Sequence, residues 1–366
     1  MIDAGKLKIT LSCDNGKVRH VEIESTRPLH TSRLFIGKTP EQTLKILPLL
    51  FNVCGVAQSF AAFQALGMAQ NSAEIAARNL LLNVEIIREH CWWLLIHTDK
   101  ARLAPFLKYV GDFKKALFAS GDAFSLNSRL EINHEQLNGL IFQLETDLDA
   151  LFLNQRQRFL DAKNEDDLHV WLNDNASIPA NLFRDLLANN YQDLGRCELR
   201  LLPNLTDSDL LENFDSQMPT WQNDCYETSC LNRQQTQPLI FNLLEKYGNG
   251  LMTLLASRLF ELANLPNVLR QNFIDIQTLS NQTKNEIGVA QIQASRGLLI
   301  HKVELKNGVI ANYQIVAPTE WNFQHGGVAA LSLQSLSARD TTTLRQHAAL
   351  IINAIDPCVG FELVID

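Results

Sequence analysis

No run of lysine or arginine occurs anywhere in this chain, and that absence narrows its partners first. Its 32 basic residues are outnumbered by 40 acidic ones, for a net charge of −8. Nucleic acids and anionic membranes attract clustered cations, so neither is an expected partner. Long uncharged apolar runs are missing too. Met1 to Lys8 contains none of signal-peptide length, and the most apolar helical stretch, Leu80 to Ile96, is interrupted by Asn83, Glu85, Arg88, Glu89 and His90. A cytoplasmic protein without a membrane span is therefore expected. Seven cysteines, at 13, 54, 91, 197, 225, 230 and 358, form no even framework and imply no disulfide scaffold. There is no glycine-rich phosphate loop, no His-Glu-x-x-His, no Gly-x-Ser-x-Gly and no internal repeat.

What is present reads as a predominantly helical α+β protein with small hairpins near both termini. Leu7, Ile9, Leu11 and Cys13 alternate up to Asn15-Gly16, and Val21 and Ile23 continue beyond it, which predicts a hairpin over 7–24. Thr39-Pro40-Glu41-Gln42 carries a capping box, with Pro at the first helical position, and opens a helix that Pro48 should kink or end. Another helix is expected from near Cys54 to Leu66. Asn71 to Asp99 reads as one long helix, apolar almost all round and hence deep in a bundle. Shorter helices are expected around 101–118, 134–153, 179–188 and 238–264. The stretch 154–235, rich in Asn, Asp and Gln, reads as irregular or peripheral. A second hairpin, over 298–316, turns at Asn307-Gly308, and a last helix over 340–355 stops before Asp356-Pro357-Cys358. Residues 1–366 are assigned to one domain, with helical core 39–153 and 238–264; a division somewhere in 154–235 is the alternative.

Few residues stand out for chemistry by themselves. Cys225 and Cys230 have no second ligand pair nearby, so they make a poor zinc motif. His90, beside Trp92 and Trp93, reads as a satisfied core histidine, and the three tryptophans Trp92, Trp93 and Trp321 as core. Glu85 and Glu89 are a helical turn apart and read as solvated or paired with Arg88. Cys54 and Cys358 sit at helix boundaries, where a thiolate can be exposed, although buried structural thiols are the ordinary reading.

Taken together, several segments resemble the large subunit of nickel-dependent hydrogenases. That family carries Arg-x-Cys-Gly-x-Cys near its start and Asp-Pro-Cys-x-x-Cys at its end. This chain has Cys54-Gly55-Val56-Ala57 and Asp356-Pro357-Cys358-Val359-Gly360-Phe361. Ser295-Arg296-Gly297 followed by His301 is similar to the family's Pro-Arg-Gly-x-x-x-His. The hairpin with Gly308 to Tyr313 and then Pro318-Thr319-Glu320-Trp321-Asn322 follow as they do there. Glu227 to Arg233 resembles a worn Glu-x-Gly-x-Leu-x-Arg. The order of these pieces makes the resemblance specific, and it implies a long-helix bundle core like that of the large subunit.

The departures define what the resemblance implies for function. In the family four thiolates hold nickel, and the second Cys of each motif bridges to an iron carrying cyanide and carbon monoxide. Ala57 and Phe361 stand at those bridging positions, Asn52 replaces the motif arginine, and Ala61 replaces a histidine. Two thiolates do not make a nickel tetrathiolate, so no nickel is expected. Cys54 and Cys358 are the implied metal ligands, and Arg296 and Thr319 match positions that contact the cyanide ligands. The implied role is that of the HupK-type hydrogenase expression/formation proteins. These are non-catalytic scaffolds thought to carry the iron–cyanide/carbonyl fragment, with the large-subunit precursor and other maturation proteins as partners. A metal-free paralogue that binds protein partners is the alternative; a hydrogenase or hydrogen sensor with altered ligation is disfavoured by the missing bridges.

Overall fold

The computed structural model describes residues 5–26, 31–51, 53–96, 98–198, 200–211, 216–278, 283–284 and 288–366. Strands β1 (Lys6–Asp14) and β2 (Lys17–Ser25) form the first hairpin, with Asn15 and Gly16 both at positive φ in the turn. Leu7, Ile9 and Leu11 point inward and are almost wholly buried. Helix α1 (Pro40–Leu50) begins at the expected capping box, in which Gln42 N donates to Thr39 Oγ1 and Thr39 N to Gln42 Oε1. It runs two residues beyond Pro48. Helix α2 (Gly55–Ala65) is buried along nearly its whole length. A short strand β3 (Gln70–Asn71) leads into α3 (Ser72–Leu95), which Asn71 and Glu74 cap reciprocally.

Helices α4 (Lys100–Leu103) and α5 (Phe106–Leu117) replace the single helix expected over 101–118, because Pro105 separates them. Helix α6 (His134–Leu151) follows. The first half of the stretch expected to be irregular is largely helical: besides α9 (Ile178–Ala188), which matches the helix expected around 179–188, it holds α7 (Arg156–Leu160) and α8 (Glu165–Asn173). Its polar residues misled because they are caps and outer faces. Asn164 accepts from Asp167 N, and Ser177 from Ala180 N. The inner faces contribute Phe159, Trp171 and Phe183, all fully buried, with Phe159 and Trp171 ring centroids 4.8 Å apart. Beyond them come β4 (Arg200–Leu201), α10 (Asp207–Leu211), β5 (Tyr226–Glu227), paired parallel with β4, and α11 (Cys230–Gln234).

The helix expected over 238–264 is two helices. Gly248, at φ +58, ends α12 (Pro238–Tyr247), and α13 (Leu251–Thr278) starts afresh and continues past Pro266. Helix α13 packs along α3 in the opposite direction, with Asn83 on Asn272 and His90 on Glu261, and this pair of long helices forms the axis of the core, with α5 and α6 beside it. Strand β6 (Thr283–Lys284) pairs with β3. The second hairpin is the larger part of a three-stranded antiparallel sheet, β7 (Val289–Ala294), β8 (Gly297–Lys306) and β9 (Val309–Val316). Helices α14 (Pro318–Asn322), α15 (Val328–Gln334) and α16 (Thr341–Ile355) follow, and α16 leans on α13.

The chain then returns to its beginning. Strand β10 (Gly360–Ile365) pairs parallel with β1, in register Leu7 to Phe361, so one sheet unites both ends of the chain. Trp321 is buried as expected, but Trp92 is 44% exposed and is not core. No helix among the described residues is long and apolar enough to cross a membrane.

The packing of α7–α9 yields a direct expectation. Truncating a fully buried aromatic costs about 3–5 kcal/mol. Trp171→Ala should therefore lower the urea-unfolding free energy by about that much; a loss within experimental error would mean that this layer is not part of the packed core.

Candidate metal centre

Three of the motif segments are stitched together by buried hydrogen bonds. Asn322 Nδ2 donates to Thr228 O at 2.7 Å and its Oδ1 accepts from Thr228 N at 3.0 Å; Leu298 N donates to Thr228 Oγ1 at 2.8 Å. Residues 227–233, 295–301 and 318–322 thereby share one frame. Gly297 is indispensable to it. At φ +131, a Cβ there would lie 2.6 Å from Thr228 O, so only glycine permits this approach. Ala294 pairs with Gly297, which leaves Ser295 and Arg296 as the two-residue turn between β7 and β8. Arg296 is thus delivered at the tip of a rigid hairpin. His301, by contrast, faces into the core between Tyr313 Oη and Gln58 Oε1, each at 2.9 Å, and burial pushes its pKa down to about 3.

The Arg296 guanidinium is the hub of the site. Its Nη1 donates to Glu89 Oε2 at 3.1 Å and its Nη2 to Asp356 Oδ1 at 3.4 Å. Its Nε is buried 3.2 Å from Asp356 Oδ2 without hydrogen-bonding geometry. Asp356, in the left-handed region at φ +65, ends α16 and also accepts from Arg258 Nη1 at 3.0 Å. Arg258 in turn lies over the Trp93 ring, and Trp93 Nε1 donates to Asn353 O at 2.8 Å. The long helix α3 and the last helix α16 are linked through these contacts, with Arg258 of α13 between them.

Cys54 and Cys358 flank this hub. Cys54 is the N-cap of α2 and makes no side-chain cap; Glu85 of α3 does that work instead, accepting from Val56 N at 2.7 Å and Ala57 N at 2.9 Å. Arg88 closes the loop by donating to Val53 O while also bonding Glu89 Oε1 at 2.8 Å. Cys358 Sγ accepts from Thr319 Oγ1 at 3.1 Å, and Cys358 N donates to the same hydroxyl at 3.2 Å. Burial, then the charge of Cys358, then that of Glu85, push the Cys54 thiol up to about 12, with Arg296 pulling the other way. The charges of both cysteines also bear on Arg296, after those of Asp356 and Glu89. At the bridging positions, Ala57 is fully buried with its N–H on Glu85, and Phe361 lies in β10.

Sequence reasoning named Cys54, Cys358, Arg296 and Thr319, and the structure brings all four together. It missed the polar frame around them. Glu85 and Glu89 are paired with Arg88 as expected but are buried rather than solvated, and Arg258 and Asp356 were not singled out. The signal available was the placement of charges on a helix apolar nearly all round, where an ionised group needs a partner. Of the weak cysteine pair, Cys225 turns its thiol to His325 O at 3.8 Å, while Cys230 lies among His90, Arg233 and Ser295.

Comparison with known proteins bears on the fold and the family likeness. The sequence model of the nickel-dependent hydrogenase family matches residues 248–360, the part that holds Arg296, Thr319 and Cys358. The fold is similar to that of the Ni-Fe-Se hydrogenase from Desulfovibrio vulgaris Hildenborough in the reduced state, with TM-score 0.69, 15% identity and 94% of each chain covered. It is also similar to an NAD+-reducing [NiFe]-hydrogenase in the H2-reduced state, with TM-score 0.63 and 14% identity over 97% of this chain and 95% of that one. The chain is thus similar to the nickel-iron hydrogenase large subunit, in sequence over that segment and in fold along nearly its whole length. Along its whole length it also resembles proteins described as hydrogenase expression/formation proteins. HupK of Azotobacter vinelandii is 27% identical and HupV of Azotobacter chroococcum 26%, each over 99% of both chains; HoxV of Cupriavidus necator is 26% identical over 93% of this chain and 92% of its own.

Glu85 gives this subsection its test. Burial raises its carboxyl from the ordinary 4.5 to about 7, against the pull of Arg88 and the two backbone donors. The folded state then holds the proton more tightly than the unfolded state, so the contribution of Glu85 to stability is fullest below 4.5 and declines as pH rises through 7. Between those values wild type should lose stability relative to Glu85→Gln in urea unfolding. Parallel pH profiles for the two proteins would contradict it.

Proposed function

We propose that this chain is a non-catalytic accessory protein in the making of a nickel-iron hydrogenase. In this role it holds an iron that carries cyanide and carbon monoxide before transfer to the precursor of the true large subunit. The supporting observation is that Cys54 and Cys358, about 300 positions apart in sequence, are electrostatically coupled to each other and to the largely enclosed guanidinium of Arg296. The named relatives, hydrogenase expression/formation proteins matched along the whole chain, support the coarser part of the reading. The partners would be the large-subunit precursor and other maturation proteins.

The donor set fits half of the family's metal centre. Two thiols are available, and the two positions that would bridge a second metal are Ala57 and Phe361. A soft tetrathiolate nickel site is therefore not supported, whereas a single iron with strong-field diatomic ligands needs fewer protein ligands. Arg296 suits anionic diatomic ligands because its fork of donors is largely enclosed and its buried Nε is without a hydrogen bond. Thr319 would orient Cys358 through its hydroxyl. Ligation would require both thiols to lose their protons, and Arg296 is the cation placed to favour that change.

One observation favours a metal-free paralogue instead. Arg296 is already balanced by Glu89 and Asp356, and the Cys54 thiol is held protonated by its surroundings. Metal content separates the readings. Protein purified without oxygen from cells expressing the hydrogenase maturation machinery should contain iron without nickel and show cyanide and carbonyl infrared bands. Cys54→Ala or Cys358→Ala should abolish both. Absence of iron and bands from the wild-type protein under those conditions would refute the carrier reading.

A further inference from the structure

One residue along from the hub, on both α3 and the β7–β8 turn, lies a second group of metal-ligating side chains that the resemblance does not assign. His90, Cys230 and Glu261 come from α3, α11 and α13, and each is at least nine-tenths buried. His90 Nε2 is 2.8 Å from Glu261 Oε2 and 3.7 Å from Cys230 Sγ, and the three ligand atoms all lie within 4.8 Å of one another. The bond lengths of a tetrahedral site with S, N and O ligands put neighbouring ligand atoms roughly 3.3–3.7 Å apart. The sulfur–nitrogen distance already matches, and the carboxylate oxygen needs to withdraw by only about half an ångström. We propose that His90, Cys230 and Glu261 form a second metal site, selective for a borderline divalent transition-metal ion and separate from the Cys54–Cys358 pair.

The surroundings account for charge and access. Glu261 is bound by the Arg233 fork, with Nε to Oε1 at 2.6 Å and Nη2 to Oε2 at 2.7 Å, and Arg233 Nη2 is also 3.6 Å from Cys230 Sγ. A lone carboxylate this deeply buried needs a counter-cation, and here the guanidinium provides it. A divalent ion would take over that duty. Arg233 and Glu261 both border an open groove of about 390 Å³, lined also by Asn83, Gln234, Asn264 and Asn272. The guanidinium thus has somewhere to turn, and the ion has a way in. Binding replaces the thiol proton, which leaves to solvent as the metal–sulfur bond forms, and shifts the imidazole proton from Nε2 to Nδ1. On the inner side, Cys230 Sγ lies 3.5 Å from Ser295 O, the residue before Arg296, so this site would sit between the groove and the hub.

Anaerobic titration of the full chain with cobalt(II) chloride, in a Cys54→Ala/Cys358→Ala background, tests the assignment independently of the iron-carrier reading. One equivalent should give sulfur-to-cobalt charge-transfer absorption with release of a proton. Adding Cys230→Ala should weaken binding at least about tenfold and remove the band. Arg233→Gln, which withdraws the competing cation, should tighten binding; a structural role alone would not predict that direction. Far-ultraviolet circular dichroism identifies any variant that fails to fold, and the Arg233→Gln result then decides. The proposal is overturned by a band seen in wild type but absent from the background, by one that survives Cys230→Ala, or by weaker binding in Arg233→Gln.

Discussion

Everything at the centre of this protein depends on keeping the Arg296 charge buried and balanced. The guanidinium stands at the tip of a two-residue turn, bonds Glu89 of the long helix α3 and Asp356 at the end of α16, and interacts electrostatically with both Cys358 and Cys54. Glu89 and Asp356 each have another arginine, Arg88 and Arg258. The result is a chain of alternating charges through the core. Breaking a buried pair by removing one member costs about 3–5 kcal/mol, because the other is left without compensation. Such a chain therefore acts as a specificity device as well as a contact, since few alternative packings satisfy all its members.

That network also explains how distant parts of the sequence become one site. Residues from the start of α2 are fixed by Glu85 and Arg88, those of the β7–β8 turn by the Thr228–Asn322 frame, and the C-terminal segment by Asp356 and by β10 on β1. Three independent anchors converge on two sulfurs. The thiol at Cys54 is held well above its ordinary pKa, so without a metal the site favours the protonated form.

Much of this was legible in the sequence, for identifiable reasons. The Asn15-Gly16 hairpin, the capping boxes at Thr39 and Asn71, and the long buried α3 each carry a local signal that tertiary contacts did not override. Cys54, Arg296, Thr319 and Cys358 were found through motif order alone, since nothing in their spacing says that they meet. The segment 156–173 was missed because caps and outer faces dominate its composition while its core is a few aromatic residues on short helices. Strand β10 gave no signal because its pairing partner is β1, at the other end of the chain. The buried carboxylates of α3 looked like a solvated face because a helix pattern shows where charges lie and not which arginines will reach them.

The proposed function requires that Cys54 and Cys358 together make a two-thiolate iron site. Iron K-edge X-ray absorption on protein loaded anaerobically in the presence of the maturation machinery measures it most directly. The account predicts two sulfur neighbours and short bonds to carbon, with one sulfur lost in Cys358→Ala. An iron with no sulfur neighbours, or with four, would contradict it.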